Sequence, residues 1–183
     1  WTRQQAIDLM LAETGEDRGL VESEIDRYLR WPGQALAYKV GQLRIQQLRD
    51  TLAREQVHAL LVPSADPHLS EYLPERWQGR QWLSGFTGSM GLLVVTLNEA
   101  ALFADSRYWE QAERELAGSG IALEKINTGA ATAHIDWLAA HLPRGSTLVV
   151  DGQVLGLGSA QLLRTALTRA GVTLRTDADL LAD

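Results

Sequence analysis

The stretch that decides the fold runs from Leu60 to Leu116 and reads LLVPSADPHLSEYLPERWQGRQWLSGFTGSMGLLVVTLNEAALFADSRYWEQAEREL. It contains an apolar run, a polar turn with His68 and Glu71, a glycine-rich loop, two more apolar runs and a polar corner at residues 105–108. Short apolar runs that are bounded by turn residues predict strands. The order and spacing of these pieces carry more information than any one of them.

Strands and helices alternate along the chain after His58. Strands are predicted at residues 59–62, 92–96, 101–104, 121–126, 147–150 and 172–174, and helices at residues 107–116, 133–142 and 159–170. Ser159 is predicted to cap the last helix and Gly171 to end it. The second and third strands are close enough to form a hairpin, and helices cross between the others. The pattern therefore predicts the α/β class, with a mixed β-sheet flanked by helices.

The residues before this region predict an all-helical arm. A first helix ends near Gly15, and Ser23 is predicted to cap a second helix. Pro32 is well placed to begin a third, long helix whose apolar residues recur with a period near 3.6. We predict a helical segment over residues 1–50 and an α/β domain over residues 51–183.

Composition excludes several classes of function. The net charge is −6 and the isoelectric point is about 5.2, so no basic surface is available for nucleic acid. Cysteine is absent, which excludes a disulfide framework and a Cys-ligated zinc site. No apolar run is long enough for a membrane span, and no secretory signal is visible, so we expect a cytoplasmic protein. The sequence opens at Trp1 without a Met, and we interpret it as a fragment of something longer.

Histidine gives little indication of a metal site. His134 and His141 are seven positions apart on one predicted helix, but two ligands do not complete a zinc site, and surface histidines explain them better. No His-Glu-x-x-His pattern occurs. His68 lies near Asp66 and Glu71 and is a candidate for a polar pocket. The alternative interpretation is a solvated loop residue.

The glycine-rich loop at residues 85–91 reads GFTGSMG. It precedes a strand instead of a helix, and no Lys-Ser or Lys-Thr follows it, so it fits neither a P-loop nor a dinucleotide fingerprint. Ser89 does not lie in a G-x-S-x-G elbow. We therefore favour a tight turn with close backbone packing.

The corner at residues 105–108 places Arg107 where a strand passes into a helix. Either Asp105 or Ser106 could cap that helix, which puts Arg107 in its first turn, where the helix dipole disfavours a cation. A cation in this position indicates a specific partner. That partner is either an internal carboxylate, with the arginine buried for structural reasons, or a ligand.

Three motifs together resemble a known family. They are P-S-x-D-x-H-x-S-E-Y at residues 63–72, S-G-F-x-G-S-x-G at residues 84–91 and D-x-R-Y at residues 105–108. Their order and spacing resemble the creatinase/prolidase-type N-terminal domain of multidomain Xaa-Pro aminopeptidases. The resemblance covers about residues 44–183, and the end of the chain resembles the segment just before the second domain of such enzymes.

The resemblance implies a non-catalytic α/β domain that shapes the substrate cleft and makes subunit contacts. Catalysis is then expected in a separate C-terminal pita-bread domain with two divalent metal ions, Mn or Zn, and this chain is expected to carry no catalytic residue and no metal. The implied partners are that catalytic domain, a peptide with proline at its second position, and further copies of the chain in a homo-oligomer. Arg107 and His68 are the candidate substrate-binding residues.

The first residues, up to about 48, resemble a different family. Arg27-Tyr28 and the run from Pro32 to Tyr38 are similar to the C-terminal helices of an uncharacterised bacterial family of metallopeptidase-like proteins. The two resemblances meet within one helix, around residues 45–51. We hypothesise a spliced or engineered chain in which a helical segment was joined in register to the α/β domain.

The alternative function is an interaction or oligomerisation module without a peptidase role. The helical arm would then dock a partner or join copies of the chain, and the six tryptophans fit such contacts. Activity of a longer protein that contains the domain separates the two hypotheses.

Overall fold

The computed structural model describes residues 2–30, 34–127 and 132–181 of the 183-residue chain. The chain divides into two compact units, residues 1–39 and residues 40–183. This division falls inside the third helix. The predicted domain boundary at residues 50/51 lies further along the same helix and stays a prediction.

The first unit begins with helix α1 (Arg3–Thr14). Its N-terminus carries a capping box, in which the backbone N–H of Gln5 donates to the Thr2 hydroxyl and the backbone N–H of Thr2 donates to the Gln5 side chain. The helix ends at Gly15, whose φ of 66° is a conformation that glycine adopts without strain. The predicted helix end is therefore confirmed.

Helix α2 (Arg18–Arg30) begins before the residue that was predicted to cap it. The Asp17 carboxylate accepts hydrogen bonds from the backbone N–H groups of Gly19 and Leu20, at 2.8 and 3.3 Å. Asp17 thus caps the helix, and the prediction for Ser23 is wrong. The small core of this unit consists of Ile7, Val21 and Ile25.

Helix α3 (Gln34–Arg54) is the long helix that the sequence predicts. Its predicted start at Pro32, and the break at residues 31–33, lie outside the described residues. Within the second unit, Ile45, Leu48 and Leu52 are buried in one core cluster. Their spacing follows the period of a helix with one buried face.

The second unit is built on a six-stranded sheet in the order β4-β3-β2-β1-β5-β6. The strands are β1 (Ala59–Pro63), β2 (Leu92–Thr96), β3 (Ala100–Asp105), β4 (Ala122–Ile126), β5 (Thr147–Val149) and β6 (Thr173–Arg175). Strand β2 pairs antiparallel with both β1 and β3, with Pro63 opposite Leu92 and Leu92 opposite Phe103. The other pairs are parallel. The predicted mixed sheet, the hairpin and the edge position of β4 are confirmed.

Helices cover both faces of the sheet. The remaining helices are α4 (Gly79–Ser84), α5 (Trp109–Leu116), α6 (Ala133–His141) and α7 (Leu157–Ala170). Two 3₁₀ turns lie at Glu75–Trp77 and Gly152–Val154. The sequence did not predict these turns or α4, because each is too short to show a periodic pattern.

Alternate residues of the strands pack into two separate hydrophobic cores. Leu60, Val62, Leu93, Val95 and Leu102 pack with α3, α4 and α5 on one face. On the other face, the residues between them pack with α6 and α7; these are Ala59, Leu61, Val94, Ala101 and Phe103. This alternation follows from the two-residue period of a strand. Both faces of the central strands β1, β2 and β3 are therefore buried, and the polar motifs of the sequence lie at the ends of these strands.

Two predicted helix starts are wrong. Helix α7 begins at Leu157 after an N-cap at Gly156, so Ser159 lies inside its first turn instead of capping it. Its end at Gly171, where φ is 76°, is confirmed. Helix α5 begins at Trp109 and not at Arg107, and its N-cap residue Tyr108 makes no side-chain capping bond.

Adjacent leucines on α7 test the position of this helix on the sheet. Leu163 is 0% exposed and Leu162 is 57% exposed. We expect Leu163→Ala to lower the free energy of unfolding by about 2–5 kcal/mol, because it removes buried methyl groups and leaves a cavity. The matched Leu162→Ala variant is expected to change it by less than about 0.5 kcal/mol. Urea unfolding measures both, and equal losses would contradict the position of the helix.

Candidate functional site

The polar motifs of the sequence meet at one edge of the sheet. Strands β1, β3, β4, β5 and β6 run in the same direction, and β2 runs against them. The carboxyl ends of these five strands therefore lie at the same edge, together with the start of β2. We call the loops at this edge, residues 64–72, 85–91 and 105–108, the carboxyl-edge surface. Loops at the carboxyl ends of parallel strands are a common location for binding sites in α/β proteins.

The loop after β1 is organised by Asp66. This residue is 2% exposed, and its carboxylate accepts hydrogen bonds from the backbone N–H groups of His68 and Ser70, at 3.0 and 2.9 Å. The bond from Ser70 contributes most to a pKa of Asp66 below its ordinary value. The carboxylate therefore fixes the backbone of His68 while His68 itself stays exposed.

The same loop holds an apolar side chain in solvent. Leu69 has a φ of 55°, which is rare for a residue other than glycine, and it is 67% exposed. A left-handed conformation of this kind costs on the order of 1–2 kcal/mol. Tyr72 and Met90, on neighbouring segments of the carboxyl-edge surface, are also exposed, at 84% and 51%. Strained backbone conformations cluster at active sites and ligand-binding segments, which makes this loop a candidate binding surface.

Arg107 lies in the turn between β3 and α5. Its Nε and Nη2 atoms donate to the two carboxylate oxygens of Asp105, at 3.0 and 2.8 Å. This contact raises the pKa of Arg107 and lowers that of Asp105. The Arg107 side chain is 65% exposed and lies over the Tyr108 ring at 5.3 Å. The internal carboxylate, one of the two partners that the sequence left open, is thus present, but Arg107 is exposed and precedes α5, so its expected place in the first turn of that helix is wrong.

The glycine-rich loop is held from several sides, as the prediction of close backbone packing requires. Its Thr87 donates to the Glu115 carboxylate through both the backbone N–H and the hydroxyl, each at 2.8 Å. Ser89 shares a 2.6 Å hydrogen bond with the Tyr108 hydroxyl. A Cβ on Gly88 would lie 2.3 Å from the Phe86 ring, so the loop can close only around a glycine.

Arg80 is the buried cation of this site, and sequence reasoning missed it. It lies on α4 and is 5% exposed. Its Nε atom donates to the Ser64 hydroxyl at 2.7 Å, and its Nη1 and Nη2 atoms donate to the carbonyls of Phe86 and Gly88. One signal could have found it: an arginine directly before the apolar positions of a short helix that leads into a glycine-rich loop. That signal is weak, because most arginines in such segments are exposed.

The structure does not bring the two predicted substrate-binding residues into contact. Over the parts of the chain that it describes, no hydrogen bond or ion pair joins His68 to Arg107. A cleft of about 170 Å³ lies between the loop after β1, α4 and the glycine-rich loop. It is lined by Ser64, Glu71, Tyr72, Leu73, Trp77, Gln78, Arg80, Gln81, Thr87, Gly88 and Ser89.

A larger groove of about 720 Å³ opens beside α4. It is lined by the second half of α3, by β1, by the 3₁₀ turn at Glu75–Trp77 and by the segment at residues 179–181. Arg76 forms an ion pair with Asp179 there, and Leu181 packs so closely on Gly79 that a Cβ on Gly79 would lie 2.6 Å from its Cδ1 atom. Residues 179–181 therefore pack against α4, the helix that carries Arg80, and against the 3₁₀ turn before it.

Metal ligands do not come together in the described parts of the chain, where no three His, Asp or Glu side chains are grouped so as to hold an ion. His134 and His141 do lie on one helix, α6. The His134 ring is near Phe103 and burial lowers its pKa, whereas the His141 ring stacks on Trp137 at 3.9 Å. Each ring thus has an aromatic neighbour.

Gly88 gives a direct test of the loop geometry. We expect Gly88→Ala to lower the free energy of unfolding by about 1–3 kcal/mol, because the new Cβ overlaps the Phe86 ring. Gly158 in α7 is the matched control, since a Cβ added there would meet no atom within 4 Å. Gly158→Ala is expected to be neutral or to stabilise by up to about 1 kcal/mol. Thermal unfolding measures both; a harmless Gly88→Ala would show that the loop adopts another conformation.

Asp66 gives a pH-dependent test. Its pKa is lower in the folded chain than in the unfolded chain, so its stabilising effect is complete above the ordinary value of 3.8 and is lost as the pH falls through the folded value. We expect Asp66→Asn to be less stable than the unchanged chain at pH 7, and the difference to shrink below about pH 4. Urea titrations at both pH values measure this. A difference that does not depend on pH would exclude the carboxylate charge as its source.

Two family models match the chain. The creatinase/prolidase N-terminal domain matches residues 44–179. Bacterial proteins of unknown function, DUF885, match residues 1–59. The two matches overlap over residues 44–59, which cover the second half of α3 and the start of β1.

Several relatives are Xaa-Pro aminopeptidases. Xaa-Pro aminopeptidase 2 of Rattus norvegicus is 35% identical over 117 residues, which cover 64% of this chain and 17% of the relative. Xaa-Pro aminopeptidase 1 of Dictyostelium discoideum is 31% identical over 136 residues, which cover 74% of this chain and 22% of the relative. The chain therefore spans about a fifth of the length of these relatives.

Solved structures share the fold. The X-prolyl aminopeptidase of Caenorhabditis elegans, a cytosolic enzyme with a di-nuclear active site, has a TM-score of 0.71 and 30% identity, over 77% of this chain and 25% of that enzyme. The N-terminal domain of the cytoplasmic peptidase PepQ from Mycobacterium tuberculosis H37Rv has a TM-score of 0.58 and 22% identity, over 76% of this chain and 95% of that one. The second likeness supports the fold alone, and both agree with the predicted α/β class.

Proposed function

Because the chain belongs to the creatinase/prolidase N-terminal domain family, we propose that it serves as the non-catalytic N-terminal domain of a metal-dependent Xaa-Pro aminopeptidase. In this proposal it shapes one wall of the substrate cleft, while a separate pita-bread domain hydrolyses the bond before proline. The main observation in support is the carboxyl-edge surface, where an exposed arginine, a fixed histidine backbone and exposed apolar side chains occur together without a grouped set of metal ligands in the described residues.

Arg107 is the first candidate for contact with the peptide. Asp105 occupies its Nε and Nη2 atoms, and no group in the described residues binds its Nη1 atom. The guanidinium is therefore held in one orientation by the carboxylate and still presents donors to solvent. Such donors suit a peptide carbonyl or carboxylate oxygen, because hydrogen bonds from a charged donor are stronger than neutral ones.

His68 is the second candidate. The Asp66 carboxylate fixes its backbone, and the residue is exposed at the same edge of the sheet. The ring can donate to or accept from a peptide group. Leu69 and Tyr72 next to it offer apolar contact to the same peptide or to the catalytic domain.

The cofactors of the proposed enzyme belong to the other domain. Two divalent metal ions, Mn or Zn, would be bound there, because the donors described in this chain do not form a set that fits them. The di-nuclear active site of the C. elegans relative supports a pair of metal ions in the proposed enzyme. No step of the reaction is therefore assigned to the residues of this chain beyond binding and orienting the peptide.

Further parts of the proposal concern partners and location. We propose that the chain contacts the pita-bread domain, a peptide with proline at its second position, and further copies of itself. The cytosolic C. elegans relative supports a cytoplasmic location. No helix within the described ranges is long and apolar enough to cross a membrane.

The second candidate function is an interaction or oligomerisation module in which the helical segment is the contact surface. One observation favours it: Leu9, Leu20 and Leu29 of α1 and α2 are exposed, at 44%, 50% and 61%. The match of residues 1–59 to a second family fits a segment of separate origin, spliced or engineered onto the domain. A natural reading frame with the same junction at the source locus would exclude engineering.

A domain exchange tests the proposed function. Residues 40–183 would replace the corresponding domain of the C. elegans enzyme, and hydrolysis of a peptide with proline at its second position would be measured with Mn²⁺. We expect the chimera to be active and Arg107→Ala to lower its kcat/KM by about tenfold or more, which corresponds to one lost charge-assisted hydrogen bond. Arg114→Ala, at an exposed position of α5, is the matched control and is expected to leave kcat/KM unchanged.

Three results would count against the proposal. An active chimera that is indifferent to Arg107→Ala and to His68→Ala would remove both residues from the substrate cleft. Turnover by the 183-residue chain alone, with stoichiometric bound metal, would show a catalytic site within it. An inactive but folded chimera would favour the interaction module, which size measurement of the intact chain by light scattering then tests.

A further inference from the structure

The Arg80 guanidinium uses three different nitrogen atoms on three neutral acceptors. Nε donates to the hydroxyl of Ser64, and Nη1 and Nη2 donate to the backbone carbonyls of Phe86 and Gly88. Ser64 in turn donates to the carbonyl of Gly91 at 2.7 Å. Arg80 and Ser64 thereby bind both ends of the glycine-rich loop through hydrogen bonds.

No carboxylate forms an ion pair with Arg80 among the residues described. Burial lowers the pKa of its guanidinium to about 10, although the charge of Glu115 opposes this shift. A buried charge is tolerated only when hydrogen bonds replace its hydration. The loop carbonyls provide that replacement, so the position of the loop and the position of the cation depend on each other.

Aromatic contacts extend this arrangement to the corner at residues 105–108. The Arg80 guanidinium lies over the Phe86 ring at 4.9 Å, and the Phe86 ring meets the Tyr108 ring edge to face at 6.0 Å. The Tyr108 hydroxyl shares a hydrogen bond with Ser89 of the loop, and the Arg107 guanidinium lies over the Tyr108 ring. A continuous series of contacts therefore runs from the buried arginine to the exposed one.

We propose that Arg80 is the positioning residue of the carboxyl-edge surface: its guanidinium fixes the conformation of the glycine-rich loop and, through Phe86 and Tyr108, the backbone of Arg107, whose guanidinium Asp105 then orients. Arg80 itself lies beneath the surface and acts through these residues. The positioning role is a property of this chain by itself, and only the identity of what Arg107 then binds rests on the proposed function.

Lysine cannot replace arginine in this role. A lysine has one ammonium nitrogen. It cannot reach the three acceptors that the three nitrogens of the planar guanidinium contact from different directions. A lysine would retain the charge and most of the apolar stem. Arg80→Lys therefore separates the hydrogen-bonding geometry from charge and from side-chain volume.

Hydrogen exchange in the 183-residue chain tests the proposal by NMR. The probes are the amides of Phe86 and Thr87, which donate to the Ser84 hydroxyl and the Glu115 carboxylate, and the amide of Arg107, which donates to Asp105. We expect Arg80→Lys to speed exchange of these amides by about tenfold or more, because charge-assisted hydrogen bonds are lost, and to leave the amides of β2 and β3 unchanged.

Arg44→Lys is the matched control. Arg44 also lies over an aromatic ring of α4 and donates to a backbone carbonyl there, that of Trp82, but it contacts no residue of the glycine-rich loop through the bonds that the described residues form. We expect it to leave the loop probes unchanged. Ser64→Ala keeps the arginine and removes one of its acceptors together with the bond from Ser64 to Gly91. It is expected to speed exchange of the loop probes by a smaller factor, even where Arg80→Lys does not fold.

The outcomes are distinct from those of the domain exchange, because the measurement needs neither peptide nor metal. Faster exchange confined to the loop and to Arg107 would support the positioning role. Equally faster exchange in β2 and β3 would overturn it, since Arg80 would then support the whole sheet. Unchanged loop probes in both Arg80→Lys and Ser64→Ala would also overturn it. Loop effects together with an active chimera that is indifferent to both Arg107→Ala and His68→Ala would contradict the proposed function alone.

Discussion

The carboxyl-edge surface depends on a charge that is buried without a carboxylate paired to it in the described part of the chain. Three neutral acceptors replace the water that Arg80 would bind in solution, and two of them are backbone carbonyls of the glycine-rich loop. Moving the loop would leave the cation without these partners, and moving the cation would leave buried carbonyls without donors. Mutual dependence of this kind gives a glycine-rich loop one conformation, although glycine allows many.

The sheet explains why the polar groups collect where they do. Helices bury both faces, so the strand positions between the ends carry mostly apolar or small side chains. Polar side chains can then leave the core only at the ends of the strands. Since β2 alone runs against its neighbours within the described sheet, its start lies beside the carboxyl ends of β1 and β3. Ser64, the glycine-rich loop and Asp105 are thus brought together by strand direction.

The sequence predicted the parts of this arrangement that depend on local pattern. The strands, the hairpin, the edge position of β4 and the helix ends at Gly15 and Gly171 each follow from a signal a few residues long. The caps at Ser23 and Ser159 were wrong because several residues near a helix start can accept a hydrogen bond, and packing decides which one does. Arg107 was found as a candidate, but its exposure and its pairing with Asp105 depend on backbone geometry at the turn. Arg80 was missed because two of its acceptors are backbone carbonyls, and a sequence pattern does not show which carbonyls a side chain will reach.

Helix α3 shows how two family patterns can share one chain without a visible linker. Residues 44–59 belong to both matches, and the buried face of Ile45, Leu48 and Leu52 falls within this overlap. Among the described side chains of α3, those that belong to the core of the second unit lie in the second half of the helix. An α-helix requires hydrogen bonds between backbone groups four residues apart, and sequences without proline can form all of them. The proposed junction of two segments would therefore meet the backbone requirement of one continuous helix without a loop between them.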